Sequence, residues 1–148
     1  MSCRPDDLER AAAHLEQSLA AVRQAGDRTA EAYALTDLAA VHARGGRLTE
    51  AADHLRGALV LHRRIGDRAS EAEALNDLGQ VLRAAGDAAG ARAQHEQALV
   101  LAREIGDRYE QARAHDGLAA AAGDDGATHR DRARRLFADL AVPGAPGW

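Results

Sequence analysis

Apolar residues recur along this chain at helical rather than strand spacing. Leu75, Leu78, Gly79 and Leu82 fall at i, i+3, i+4 and i+7, which is one face of a helix, and Ala91, Ala98, Leu99 and Ala102 share a face in the segment that follows. Charged and amide residues occupy the positions between them. The pattern predicts helices over about 6–25, 29–44, 48–65, 68–85, 88–105, 108–122 and 127–141. Each apolar stripe is narrow and rich in alanine, so helices approach closely. No helix can bury its stripe alone, and stability has to come from neighbours stacked along one axis.

Glycine punctuates the pattern at a fixed period. Gly26-Asp27-Arg28, Gly66-Asp67-Arg68 and Gly106-Asp107-Arg108 recur every 40 residues, and Gly46 and Gly86 fall midway between them. One helix must end and the next begin within two residues. Glycine takes the left-handed conformation after a helix without a Cβ penalty, and the aspartate carboxylate accepts the free N–H groups of the next first turn. Glu31, Glu71 and Glu110 stand in the first turn that follows, where the helix dipole favours them, and Asp107 with Glu110 has the spacing of a capping box.

The expected organisation is an all-α domain over 1–142 of about seven antiparallel helices, with a half repeat 6–25, repeats 28–65, 68–105 and 108–141, and a tail 143–148. Residues 6–25 align with a second helix only, Leu15 with Leu55 and Leu19 with Leu59, which leaves an open flank. In the last repeat His115 replaces a large apolar residue, Gly117 interrupts the helix, and Ala133 and Phe137 fit if two residues are inserted around Asp124-Asp125.

Composition narrows the function. With 148 residues, 46% of them hydrophobic, the chain can bury a core, and 3% aromatics argue against sheet. All 19 basic residues are arginine, which suggests a GC-rich genome. A net charge of −4 with both signs interleaved gives no field for nucleic acid or an anionic membrane. The lone Cys3 makes neither an internal disulfide nor a cysteine zinc site. No apolar run approaches the roughly 20 residues a membrane helix needs, and the first residues lack a signal-peptide core, so a cytoplasmic location is expected.

Candidate chemistry is sparse. Seven histidines are present, but no pair has the i, i+4 spacing with an acid that a helical zinc site uses, and His42 and His95 fall on core positions. Each Gly-Asp follows a helix, unlike a phosphate loop, and no nucleophile constellation is present. No catalytic residue, cofactor or metal is expected. His129 to Arg135 is a basic stretch, interrupted by Asp131, that reads as a polar cap on the last helix pair.

Leu75-x2-Leu78-Gly79-x2-Leu82 followed by Ala91 and Ala98 resembles the tetratricopeptide repeat, and Leu35, Leu38, Ala39, His42, Ala51, Leu55 and Ala58 repeat it. The unit is 40 residues instead of 34 and lacks the terminal proline. Ala98 to Leu118 and the closing Leu136-Phe-Ala-Asp-Leu-Ala-Val-Pro143 look like the C-terminal arrays of actinobacterial regulators of the Streptomyces antibiotic regulatory protein type. Forty-residue repeats of similar wording also occur in eukaryotic spindle-orientation scaffolds.

The resemblance implies a right-handed α-α superhelix whose first helices line a concave groove for a protein or peptide partner, or for another domain of the same regulator. Positions two, five, six and nine of those helices are Tyr33, Thr36, Asp37 and Ala40; Glu73, Asn76, Asp77 and Gln80; Arg113, Asp116, Gly117 and Ala120; Arg83 lies one turn further along. Asn and Gln can grip backbone amides of a bound segment. The basic clamp some members use for a terminal carboxylate is matched only at Arg113, and Asp37 and Asp77 favour a partner with Arg, Lys or amide groups. The alternative is a structural role, with the open first helix forming a homodimer or an autoinhibitory contact. Direct nucleic-acid or membrane binding is not expected.

Overall fold

A computed structural model describes residues 4–121 and 126–140; the tail 143–148, Cys3 and the Asp124-Asp125 insertion lie outside them. The described residues form seven α-helices and no strand: α1 Pro5–Ala25, α2 Arg28–Arg44, α3 Leu48–Ile65, α4 Arg68–Ala84, α5 Ala88–Ile105, α6 Arg108–Ala121 and α7 Gly126–Leu140. The observed ends fall within one residue of the expected ones. Among the described residues no helix is long and apolar enough to cross a membrane.

The turns between helices work as their composition requires. Gly26, Gly46, Gly66, Gly86 and Gly106 all have φ between 69° and 87°. At the first, the N–H of Gly26 donates to the Arg23 carbonyl and that of Asp27 to the Val22 carbonyl, and the same pair recurs at Gly66 and Gly106. Asp27, Asp87 and Asp107 each accept the backbone N–H three residues ahead, from Ala30, Gly90 and Glu110, at 2.8–3.0 Å. The capping box at Asp107 is only half made. The Asp107 N–H donates to the Ala102 carbonyl, and the Glu110 side chain turns inward.

The chain divides into two compact units, Met1–Asp67 and Arg68–Trp148. In the first, Ala12 and Leu19 of α1, Ala32, Leu35 and Leu38 of α2, and Ala58 and Leu61 of α3 make one buried cluster, with Leu15, Val22, Ala34 and Val41 packed against it. Leu15 and Leu19 thus do the work that Leu55 and Leu59 suggested for them. In the second unit α4 pairs with α5 and α6 with α7, and α6 also lies against α4 and α5. Ala112, Ala133 and Phe137 close the last pair, with the Tyr109 ring edge-on to Phe137 at 5.9 Å.

Gly117 does not interrupt α6. The helix runs through it because the site is filled from outside: a Cβ there would lie 2.3 Å from Nε2 of His95, and one at Gly79 of α4 would lie 2.5 Å from the same atom. The His95 ring is held between two helices that come close only because both contribute glycine. His95 stands at the repeat position that Leu15 and Leu55 hold earlier in the sequence.

Candidate functional site

Helix α4 shows how narrow the surface available to a partner is. From Ala72 to Leu82 every residue is buried except Glu73, Asp77 and Gln80, at i, i+4 and i+7. These three are the side chains that the stretch presents to solvent, apart from Leu75 at the floor of a groove on the α5 side. Arg83 is exposed one turn on, and Arg113, Asp116 and Ala120 of α6 provide the neighbouring row.

Asn76, expected in this row, is instead 0% exposed. Its two amide protons go to the Glu110 carbonyl and to Glu110 Oε1, both at 3.0 Å, and its Oδ1 faces His95 Nδ1 at 2.9 Å. Since Oδ1 can only accept, Nδ1 carries the imidazole proton and Nε2 is bare, buried and without a partner. Burial is the main cause that lowers the His95 pKa to about 4, with the Arg113 and Arg83 charges adding to it, so the ring is neutral near pH 7. Asn76 grips its own chain and is removed from the groove residues.

Arg113 is similarly committed. It is 15% exposed and bridges Glu110 at 3.0 Å and Asp77 at 2.6 Å, tying α6 to α4. Burial opposes its charge, but the two carboxylates outweigh that and raise its pKa; burial raises that of Glu110, opposed by Arg113 and by the Asn76 hydrogen bond. Asp77 is therefore occupied by the chain's own guanidinium. Asp116 remains half-buried, its pKa raised by burial against the opposing charges of Arg83, Arg130 and Arg113.

In the first unit α2 presents Tyr33, 51% exposed, and Asp37 one turn later, also exposed. The His62 ring of α3 meets Tyr33 at 69° with centroids 6.0 Å apart, which steadies it from one side. Thr36 lies beside them, but its hydroxyl donates back to the Ala32 carbonyl at 3.0 Å. Of the ten residues singled out by sequence, Tyr33, Asp37, Glu73, Gln80 and Arg83 lie open to solvent, Asp77, Arg113, Asp116 and Thr36 partly so, and Asn76 not at all.

Two further features escaped sequence reasoning. His115 and His129 face each other through Nδ1 atoms 2.9 Å apart, with the His115 pKa lowered to about 4 by burial first and by His129 next. An open groove of about 570 Å³ runs between α4 and α5, floored by Leu75 and Leu101 and edged by the Arg68–Glu104 ion pair. It lies on the α4–α5 side, away from the α4–α6 row. Among the described residues no three His, Cys, Asp or Glu side chains group as a metal site.

The tetratricopeptide repeat model matches residues 30–104, just over half of the chain. The chain belongs to the tetratricopeptide repeat family. No curated protein matches it in sequence. Among solved structures, BtubC (BKLC) from P. vanneervenii superposes with a TM-score of 0.81 at 23% identity, over 95% of this chain and 61% of that one. The apo form of RapI superposes with a TM-score of 0.80 at 18% identity, over 91% of this chain and 48% of that one. The chain thus spans less than two thirds of either, and at these identities the likeness shows the fold alone: an all-α tetratricopeptide solenoid. Tetratricopeptide domains bind protein or peptide partners and are generally non-catalytic.

Proposed function

We propose that this tetratricopeptide chain, a helical repeat domain over 1–142, is a protein-interaction module that takes a peptide or helix of a partner on the exposed rows of its first helices. The single line Glu73, Asp77, Gln80 on an otherwise buried α4 carries the reading. A line of three polar side chains at helical spacing on an otherwise buried helix, flanked by Arg83 and Asp116 and with Asp77 already paired to Arg113, is a surface that a scaffold can offer to a partner. The wording of Ala98–Leu118 supports a regulatory role within an actinobacterial transcriptional regulator in the cytoplasm, with a partner protein or another domain of that regulator as ligand.

Affinity capture with the immobilised chain tests this, repeated with Tyr33→Ala, Asp37→Ala, Gln80→Ala and Arg83→Ala combined. All four sites are exposed, so the variant keeps its fold. Specific capture lost in the variant supports the reading; capture unaffected by it refutes the assigned rows. Unchanged transcript levels after deletion of the coding sequence would remove the regulatory part.

A further inference from the structure

We infer that Tyr33 and Asp37 form a station for one arginine side chain of the bound partner; this rests on the first-helix rows being where a partner lies. Tyr33 and Asp37 sit one turn apart on α2, which brings their Cβ atoms to about 5–6 Å on a shared face. More than half of Tyr33 is open to solvent, which leaves much of its ring available to a partner. The exposed Asp37 carboxylate has no cation from the described residues within ion-pair distance. An aromatic face beside an unpaired carboxylate suits a planar cation that can stack on one and donate to the other in its own plane. Guanidinium does both, whereas an ammonium is a compact point charge that cannot use its plane.

The second unit holds an internal example of the same chemistry. Asp77 is the repeat equivalent of Asp37, and a guanidinium already sits on it: Arg113 Nη2 lies 2.6 Å from Asp77 Oδ1. An aspartate at this repeat position can therefore hold a guanidinium. At Asp77 the chain supplies that group itself; at Asp37 the described residues supply none, and the partner does. The negative net charge of −4 favours the approach of a basic segment.

Titration of the full chain with the blocked tripeptides acetyl-Gly-Arg-Gly-amide, its lysine counterpart and its neutral citrulline counterpart tests the station, read by NMR from the Tyr33 ring and the α2 amides. The arginine peptide should move the Tyr33 ring signals and the amides around Asp37, with lysine weaker and citrulline without effect. Tyr33→Leu should weaken arginine binding about two- to fivefold and Asp37→Asn by a similar factor, with thermal stability unchanged. Equal responses to arginine and citrulline, or arginine shifts that ignore both variants, would overturn the station. In that event, a captured partner still mapping to Gln80 and Arg83 would leave the interaction reading standing. Arginine shifts at Tyr33 without any such partner would remove that reading and keep the station.

Discussion

Gly117→Ala should destabilise the protein although alanine is the better helix former, and the reason is His95. A Cβ at position 117 would lie 2.3–2.4 Å from three atoms of the His95 ring, closer than real side-chain carbons approach. The ring cannot retreat, because Gly79 closes it from the other side at similar distances. Any sideways shift stretches the 2.9 Å contact to Asn76. Overpacking costs about 2 kcal/mol and loss of a buried hydrogen bond about 1, against a gain of about 1 from replacing glycine in a helix. The net expectation is a loss of about 2 kcal/mol. In a His95→Ala background the space is vacant and the same change should stabilise by about 1 kcal/mol, a coupling of about 3 kcal/mol between two residues on different helices. Guanidinium denaturation followed by far-UV circular dichroism at pH 7.5 measures the cycle. A Gly117→Ala effect of the same sign in both backgrounds would refute the sandwiched-ring argument.

Three other outcomes follow from the same packing. Leu78→Asp places an unpaired charge on a fully buried α4 position and should cost about 3 kcal/mol or more, whereas Gln80→Ala, two residues on and exposed, should change stability by under about 0.5; thermal melts check both. Stability should fall on acidification: His95 has a folded-state pKa of about 4 against 6.5 unfolded, so the unfolded chain binds protons first between those values and gains about 2 kcal/mol by pH 5 from this group. His115 acts in the same direction, Glu110 and Asp116 oppose it, and His95→Gln should flatten the pH dependence of the denaturation midpoint. Gly106→Ala, at φ +72°, should cost about 1 kcal/mol through backbone strain alone, readable as a shift of the midpoint without change of slope.

The helices and their ends were legible because each depends on residues close in sequence: a 40-residue period, glycine at every left-handed turn and aspartate after four of the five. The solvent exposure of Tyr33, Asp37, Glu73 and Gln80 was legible for the same reason. Asn76 was misread because a polar residue at a non-core position looks exposed, and its partners Glu110 and His95 lie 34 and 19 residues away. A signal did exist. A histidine at a position held by leucine in the preceding units, with glycines at 79 and 117, marks a polar group that must be satisfied inside the fold. Glu110 was hidden by a second role, since its place in a first turn already explained it as a dipole and capping residue. The His115–His129 contact joins two helices on either side of the irregular insertion, where the repeat period gives no register.

Amide shift mapping of the isotope-labelled chain, with and without the partner segment recovered by affinity capture, addresses the central claim most directly. Expected are shifts centred on Tyr33 and Asp37 of α2, Glu73 and Gln80 of α4, and Asp116 of α6, with α3, α5 and α7 nearly silent. Shifts confined to α1, or to the arginines of α7, would contradict it.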